Sequence, residues 1–326
     1  MPDLPSPLST SPADLSRAAE LLRAGEIVAV PTETVYGLAA DALNPAALAK
    51  VFAAKGRPLV DPLIVHVASA AEVDRVAEPE ARLGRLAAFW PGPLTVVLRR
   101  RPVVPDLVTA GRETVAVRVP AHPAFRALIA AVGPLAAPSA NPFGYVSPTL
   151  ASHVRDSLGE RCPWIVDGGP CAHGVESTIL DLSSPGVARL LRPGPISREA
   201  LEAALGAPVE AVVRSAPADQ AQLAPGMLER HYSPRTPIRL FARGAEPVIP
   251  PAHAALLLQA RRAAATPGAE TFLLSESGDP AEAARALFAL LRKLDRRGFE
   301  VIVAELAEET GVGVALNDRL RRAAAR

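Results

Sequence analysis

Lys55-Gly56-Arg57 sets an ammonium and a guanidinium two residues apart, with glycine between them and Pro58 after. Lysine meets a phosphate as a point charge and arginine as a planar fork, so the pair suits an anion such as a triphosphate or bicarbonate. Read from the sequence, both side chains point from a loop, and an ordinary solvated basic turn is the alternative. The sequence has no Gly-x-x-x-x-Gly-Lys-Ser/Thr run, so any nucleotide is held in another way.

A second group lies in Ala137 to Thr149, where Ser139, Asn141 and Ser147 sit among Pro and Gly. Such a stretch is neither helix interior nor central strand. Its polar groups fall where a strand ends, the place where open α/β sheets bind ligands, although a surface turn reads the same way. Arg118 stands in the apolar run Ala116 to Pro120. A buried guanidinium without a partner is costly, so it needs a carboxylate from protein or ligand. Thr114 lies four residues before it on the same strand face. His66 closes Leu63-Ile64-Val65-His66, either as a core histidine or as a ligand. Cys171 and His173 invite a nucleophile reading, but no third group orients them and Pro170 and Gly174 favour turn roles. Gly174-Val175-Glu176-Ser177-Thr178 leads from a glycine turn into a strand, and Arg192 ends another. Polar turns at several strand ends, carrying lysine and arginine, spell a pocket for an anionic small molecule.

The elements that must position these groups alternate. Ser11 and Pro12 start a helix that stops near Gly25, and Asn44-Pro45 opens one that ends before Lys55. Strands are expected at Ile27–Val30, Leu63–Val67, Leu94–Leu98, Thr114–Val119, Leu135–Ala137, Trp164–Val166, Ser177–Leu182 and Val187–Leu191. Helical stretches start from Ser69 and Pro79, and run over His122–Ala131, Thr149–Leu158 and Ser197–Leu205. Gly206 to about Pro237 lacks periodicity and reads as a linker, marked by His231-Tyr232-Ser233-Pro234. Beyond it, strands and helices alternate again. The expected class is α/β: a twisted open mixed sheet over residues 1–205, the linker over 206–237, and a smaller Rossmann-like α/β domain over 238–326.

Composition bounds the function. The 326 residues are 49% hydrophobic and 21% charged, and the net charge of +1 gives no bulk electrostatic case for nucleic acid or an anionic membrane. Two cysteines cannot make a four-thiolate zinc site. Met1 to Ser11 lacks the pattern of a signal peptide, and no apolar run approaches the length of a membrane span, so a cytoplasmic location is expected.

The ordered set Pro-Thr-Glu-Thr-Val-Tyr-Gly-Leu (31–38), Lys-Gly-Arg-Pro (55–58), Pro-Leu-Ile-Val-His (62–66), Val-Arg-Val-Pro (117–120), Pro-Ser-Ala-Asn-Pro (138–142), Ser-Pro-Thr (147–149), Gly-Val-Glu-Ser-Thr-Ile (174–179) and Arg-Pro-Gly-Pro-Ile (192–196) resembles the YrdC-type threonylcarbamoyl-AMP synthases. The match spans roughly residues 12–205. His-Tyr-Ser-Pro in the linker and Gly313 to Leu320 look like the longer members, which carry a C-terminal domain. The resemblance implies that L-threonine, bicarbonate and ATP give threonylcarbamoyl-adenylate and pyrophosphate. The adenylate then feeds threonylcarbamoyladenosine formation beside the tRNA anticodon through a separate transferase machinery, with tRNA not bound tightly by this chain. Carried over by motif, Thr34, His66, Arg118, Ser139 and Ser177 hold threonine. Arg57, Asp61, Thr114, Asn141, Ser147, Arg192 and Tyr232 hold ATP, and Lys55 and Arg57 are the catalytic pair, Lys55 orienting bicarbonate and phosphate. Many members have Asn where this chain has Asp61, which either removes that contact or makes Asp61 a Mg²⁺ ligand. Tyr232 is expected to fold over the pocket as a lid. A carbamoyl-adenylate enzyme of the hydrogenase-maturation type and an RNA-binding module are the alternatives.

Overall fold

The computed structural model describes residues 4–212, 220–227, 231–250, 253–261 and 266–325. Of the expected linker, residues 213–219 and 228–230 therefore lie outside the described residues, as do residues 1–3 of the N-terminal stretch.

Short apolar runs rich in β-branched residues, buried on both faces, make the central strands. The first sheet uses β1 (Val28–Val30), β2 (Gly37–Asp41), β3 (Ile64–His66), β4 (Leu94–Arg99), β5 (Thr114–Arg118), β6 (Leu135–Ala136), β7 (Thr178–Asp181), β8 (Ala188–Arg192) and β9 (Val209–Ala211). Its order is β1-β2-β6-β3-β5-β4-β7-β8-β9. The pairs β3–β5, β4–β7 and β8–β9 are parallel and the rest antiparallel, so the sheet is mixed. Helices α1 (Pro12–Arg23), α2 (Pro45–Lys55), α3 (Asp106–Thr109), α4 (Pro123–Val132), α5 (Ala151–Leu158) and α6 (Arg198–Leu205) accompany it.

The period of two splits the central strands into two faces. Val65, Val96, Leu98, Val115, Val117 and Leu180 join one apolar core with Leu48 and Phe52 of α2. Ile64, Val97, Ala116 and Ile179 form the opposite face, covered by Ala224 and Met227 of the linker. On that second face the residues at one end turn polar. His66 pairs with Arg118 across β3 and β5, and Thr95 pairs with Arg118 across β4 and β5. The polar end includes the carboxyl ends of β3 and β5, where open sheets bind ligands.

The second sheet is wholly parallel, in the order β10-β13-β11-β12, from β10 (Ile238–Phe241), β11 (Ala254–Leu258), β12 (Ala269–Leu273) and β13 (Val301–Glu305). Helices α7 (Pro280–Asp295) and α8 (Val312–Ala324) pack on it. Their apolar faces, with Leu287, Phe288, Leu291, Leu316 and Leu320, share one cluster with Val35, Val146, Val175 and Tyr232, so the second domain packs against loops of the first and the linker. Arg292 of α7 stacks 4.9 Å from the Tyr145 ring and donates to the carbonyls of Val146, Ser147 and His153. The loop that carries Ser139 and Asn141 is thus fastened to the second domain.

Four local expectations are corrected. The stretches from Ser69 and Pro79 form 3₁₀ turns, Ala70–Arg75 and Ala81–Phe89, rather than α-helix. Trp164–Val166 makes only isolated bridges, to Leu8 and Ala29. Gly37–Asp41, for which no element was expected, is a strand between β1 and β6. The linker begins with an edge strand, because Val209–Ala211 finds a parallel partner in β8.

Gly174 shows how closely the domains approach. Its φ is +72°, and a Cβ there would fall 2.4 Å from Arg285 Cα and 2.7 Å from the Ala284 carbonyl oxygen of α7. Neither backbone can yield cheaply, and left-handed backbone strain adds to the clash. Gly174→Ala is expected to destabilise the chain by about 2–4 kcal/mol and to speed proteolysis within 206–237. Urea unfolding and timed digestion check this, and unchanged profiles would refute so tight a contact.

Candidate active site

Thr34, Arg57, His66, Arg118, Ser139, Ser177, Arg192 and Tyr232 line one cavity. Thr32, Glu176, Pro225, Gly226 and His231 complete much of its wall. Each wall comes from a different piece of chain: the turn before β2, the ends of β3 and β5, the loop after β6, the start of β7, the end of β8, and the linker.

Arg118 finds its carboxylate inside the protein. Its Nη2 donates to Glu33 Oε1 at 2.6 Å, Nη1 to Thr34 Oγ1 at 3.0 Å, and Nε to the Gly92 carbonyl at 3.2 Å. The Thr32 hydroxyl donates to the Val35 carbonyl, so it accepts from Thr34, whose oxygen faces Arg118. Three of five guanidinium hydrogens are engaged and two remain. Burial would raise the Glu33 carboxyl, but Arg118 holds it below the usual range. Glu33 Oε2 is buried without a partner.

His66 sits beside Arg118, its ring 5.0 Å from that of Phe125. Burial, reinforced by the Arg118 charge, pushes its pKa down to about 3, so the imidazole is neutral. Its Nδ1 is buried and unpartnered. Ser177 shares a 2.8 Å hydrogen bond with Thr95 and accepts from Arg192 Nη2 at 3.1 Å. Arg192 also donates through Nε to the Ser177 carbonyl and through Nη1 to the Pro225 carbonyl.

Arg57 is anchored by Nε to the Asp61 carbonyl and by Nη2 to the Pro62 carbonyl, with Asp61 Oδ2 2.9 Å from Nη2. Asp61 is fully buried behind it and is not in the cavity wall. Lys55 also differs from its expected place on a loop. It is the last residue of α2, Gly56 ends the helix at φ +61°, and the ammonium is buried. Lys55 Nζ donates to the carbonyls of Ser139 at 2.5 Å and Asn141 at 2.6 Å, so it holds the Ser139–Asn141 loop from behind. Burial first, then the Arg57 charge, drives its pKa well below the ordinary lysine value.

Asn141 and Ser147 likewise stand outside the cavity wall. The Asn141 amide donates to the Pro142 and Tyr145 carbonyls and shapes the loop. Ser147 donates to Glu176 Oε1 at 2.5 Å. Thr114 begins β5, about 13 Å along the strand from Arg118, and lines no part of the cavity. The nucleophile reading of Cys171 fails, because burial pushes its thiol up to about 12 and leaves no thiolate to react.

Tyr232 is the linker's contribution. Its ring stacks 5.5 Å from Phe288 and lies 5.1 Å from the Arg319 guanidinium carbon and 5.2 Å from that of Arg322. The backbone at Tyr232 has φ +63°, a strained position for a bulky residue. Its hydroxyl is buried without a partner. Gly226 lies over both, since a Cβ there would come 3.0 Å from Arg192 Nη1 and 3.1 Å from Tyr232 Oη. Glu33, Thr95, Glu176 and His231 were not singled out from the sequence as site residues. Glu33 and Glu176 stand inside quoted motifs, each beside hydroxyl residues (Thr32 and Thr34, Ser177 and Thr178), and that clustering was the available signal.

Comparison with known proteins adds two family matches. Residues 20–194 match the Sua5-yciO-yrdC family model, described as "Telomere recombination", and residues 196–325 match one described as "Threonylcarbamoyl-AMP synthase, C-terminal domain". The chain is 41% identical to threonylcarbamoyl-AMP synthase of Pyrococcus abyssi over 94% of this chain and 92% of that one. It is 39% identical to that of Bacillus subtilis over 99% and 96%. The solved structure of Pyrococcus abyssi Sua5 complexed with L-threonine superposes with a TM-score of 0.88, at 36% identity, covering 98% of both chains.

The neutral His66 makes stability depend on pH. Its folded pKa of about 3 lies below the ordinary 6.5, so the unfolded chain takes up a proton that the folded chain refuses. Unfolding free energy therefore falls as pH drops below about 6.5, by up to about 1.4 kcal/mol per unit from this group. His66→Gln is expected to flatten the decline between pH 6.5 and 5 by nearly one proton. Denaturant titrations across that window check this, and an unchanged slope would mean that His66 titrates alike in the folded and unfolded chain.

Proposed function

The chain belongs to the threonylcarbamoyl-AMP synthase family, and on that premise we propose that the cavity brings L-threonine against the α-phosphate of ATP. The enzyme makes L-threonylcarbamoyl-AMP and pyrophosphate from L-threonine, bicarbonate and ATP, for the threonylcarbamoyladenosine modification of tRNA. The observation that carries the placement is the convergence of Arg57, Arg118 and Arg192 with Thr34, His66 and Ser177 around one cavity.

The amino acid end is the Arg118 side. The two free hydrogens of Arg118 meet the threonine carboxylate, with Thr34, Ser139 and Ser177 as further partners. His66 Nδ1, neutral and unpartnered, accepts from the threonine hydroxyl. Arg57 and Arg192, each with hydrogens left over, take phosphate oxygens, and the Tyr232 hydroxyl points into the same space. Lys55 acts by fixing the Ser139 and Asn141 carbonyls, and Ser147 by steadying Glu176. Thr114 and Asn141, outside the cavity wall, serve ATP through the shape of strand and loop.

The neutral amine attacks the bicarbonate carbon, forming the C–N bond as the amine proton and hydroxide leave as water. A carbamate oxygen then attacks the α-phosphorus, and the bond to the pyrophosphate leaving group breaks. No side chain need form a covalent intermediate, because positioning and charge stabilisation suffice. Asp61 lies 2.9 Å from Arg57 and outside the cavity wall, and among the described residues no group of three His, Cys, Asp or Glu gathers for a cation. The residues do not fit a protein-built Mg²⁺ site, so no step is assigned to one.

No helix among the described residues is long and apolar enough to cross a membrane. We place the enzyme in the cytoplasm, where its adenylate passes to a separate transferase and tRNA is not bound tightly here. The RNA-binding and hydrogenase-maturation readings are not favoured, since the relatives matched over nearly the whole chain are threonylcarbamoyl-AMP synthases. ATP consumption with each amino acid in turn, with and without bicarbonate, tests the reaction. Turnover should require both threonine and bicarbonate, and turnover indifferent to either would overturn the assignment. Arg57→Ala is expected to cut pyrophosphate release by about 10²–10³ while unfolding stays cooperative. Near-normal release would remove Arg57 from the site.

A further inference from the structure

Helix α8 carries the Asn317-Asp318-Arg319 run, and none of these three lines the cavity. Asn317 has a local task, since its side chain accepts from the Ala307 amide and donates to the Ala307 carbonyl. Arg319 reaches out of its own domain. It is fully buried, and its Nε donates to Glu176 Oε2 at 2.8 Å while Nη1 meets Asp318. The other Glu176 oxygen accepts from Ser147. The loop after β6, the turn before β7 and the linker tyrosine therefore meet at one guanidinium of the second domain.

Glu176 is a buried carboxylate in the cavity wall, in the space proposed for a polyanion. Arg319 is the first cation holding it ionised and Arg192 the second. Among the described residues Arg192 makes no ion pair. Its partners are two carbonyls and a hydroxyl. A buried carboxylate that loses its cation takes the nearest alternative or repels an incoming anion, and either outcome is costly. Without Arg319, that alternative is Arg192.

We propose that Arg319 is a positioning residue of the second domain: by holding Glu176 it keeps Arg192 available to the phosphates of ATP. The inference rests on the reading of Arg192 as a phosphate-binding group. It gives the second domain a share in nucleotide binding through a residue that never touches substrate.

The test measures KM for ATP and for threonine by pyrophosphate release in the full chain. Arg319→Met should raise the ATP KM at least tenfold and move the threonine KM less than threefold. Adding Glu176→Gln to Arg319→Met removes the orphaned charge and should bring the ATP KM back to within threefold of the starting enzyme. Arg319→Lys, which keeps the cation, should also stay within threefold. A fall in kcat at unchanged ATP KM, or a double variant no better than Arg319→Met, would overturn the inference and leave Arg319 a packing residue. If Arg319→Met is insoluble, a soluble double variant with near-normal ATP KM supports the proposal, and an insoluble or tenfold weakened one refutes it. Arg192→Met separates the two readings. A raised ATP KM there with none in Arg319→Met sinks the inference alone, whereas an unchanged ATP KM in Arg192→Met sinks both.

Discussion

Charge pairing among buried groups is the constraint on which the site depends. A guanidinium or carboxylate stripped of water costs several kcal/mol unless a partner stands beside it. Three such pairs surround the cavity: Arg118 with Glu33 at 2.6 Å, Arg57 with Asp61 at 2.9 Å, and Arg319 with Glu176 at 2.8 Å. Each pair balances a buried arginine without consuming every donor, because a guanidinium has five hydrogens and one carboxylate engages at most two of them in a bidentate contact. Arg118 and Arg57 thus keep hydrogens for an anionic substrate while remaining tolerable when the cavity is empty. Lys55, whose Nζ donates to two loop carbonyls, is pushed well below the ordinary lysine pKa by burial and then by the Arg57 charge.

The same constraint explains why two sheets share one site. The first sheet presents arginines and small hydroxyls along the polar end of one face, but supplies no cation of its own dedicated to Glu176. The second domain supplies it through α8, and its α7 fastens the loop of Ser139 and Asn141 by way of Arg292 and Tyr145. The linker lies between them, with Ala224 and Met227 on the sheet face and Tyr232 in the apolar contact of the two domains. Pocket and domain contact are one structure, so a defect in packing at Gly174 and a defect in charge at Arg319 would both reach the cavity.

Much of this was legible in the chain. The β-branched runs gave β3, β4 and β5, and Arg118 and Ser177 were readable because a polar residue in or beside an apolar run needs a reason. What escaped had physical causes. Gly37-Leu38-Ala39-Ala40 has no β-branched residue, and becomes a strand because β1 and β6 flank it. Leu83, Leu86 and Phe89 recur every three residues, a spacing that a 3₁₀ turn satisfies as well as a helix. Arg118 was expected to need a carboxylate, yet nothing local says that Glu33, 85 residues earlier, supplies it. Glu176 meets Arg319 across 143 residues, a pairing that only the packed domains reveal. Lys55 looked like a ligand for anions because a helix end next to Gly56 reads as a loop, and burial turned the ammonium inward.

The most direct test of ion pairs that leave donors in reserve is the structure of the full chain with L-threonine and a non-hydrolysable ATP analogue. The account predicts phosphate oxygens within hydrogen-bond distance of Arg57 and Arg192, the Pro225 carbonyl withdrawn from Arg192, and the Glu33, Asp61 and Glu176 ion pairs all intact. Phosphates seated away from both arginines, or ion pairs broken to receive them, would contradict it.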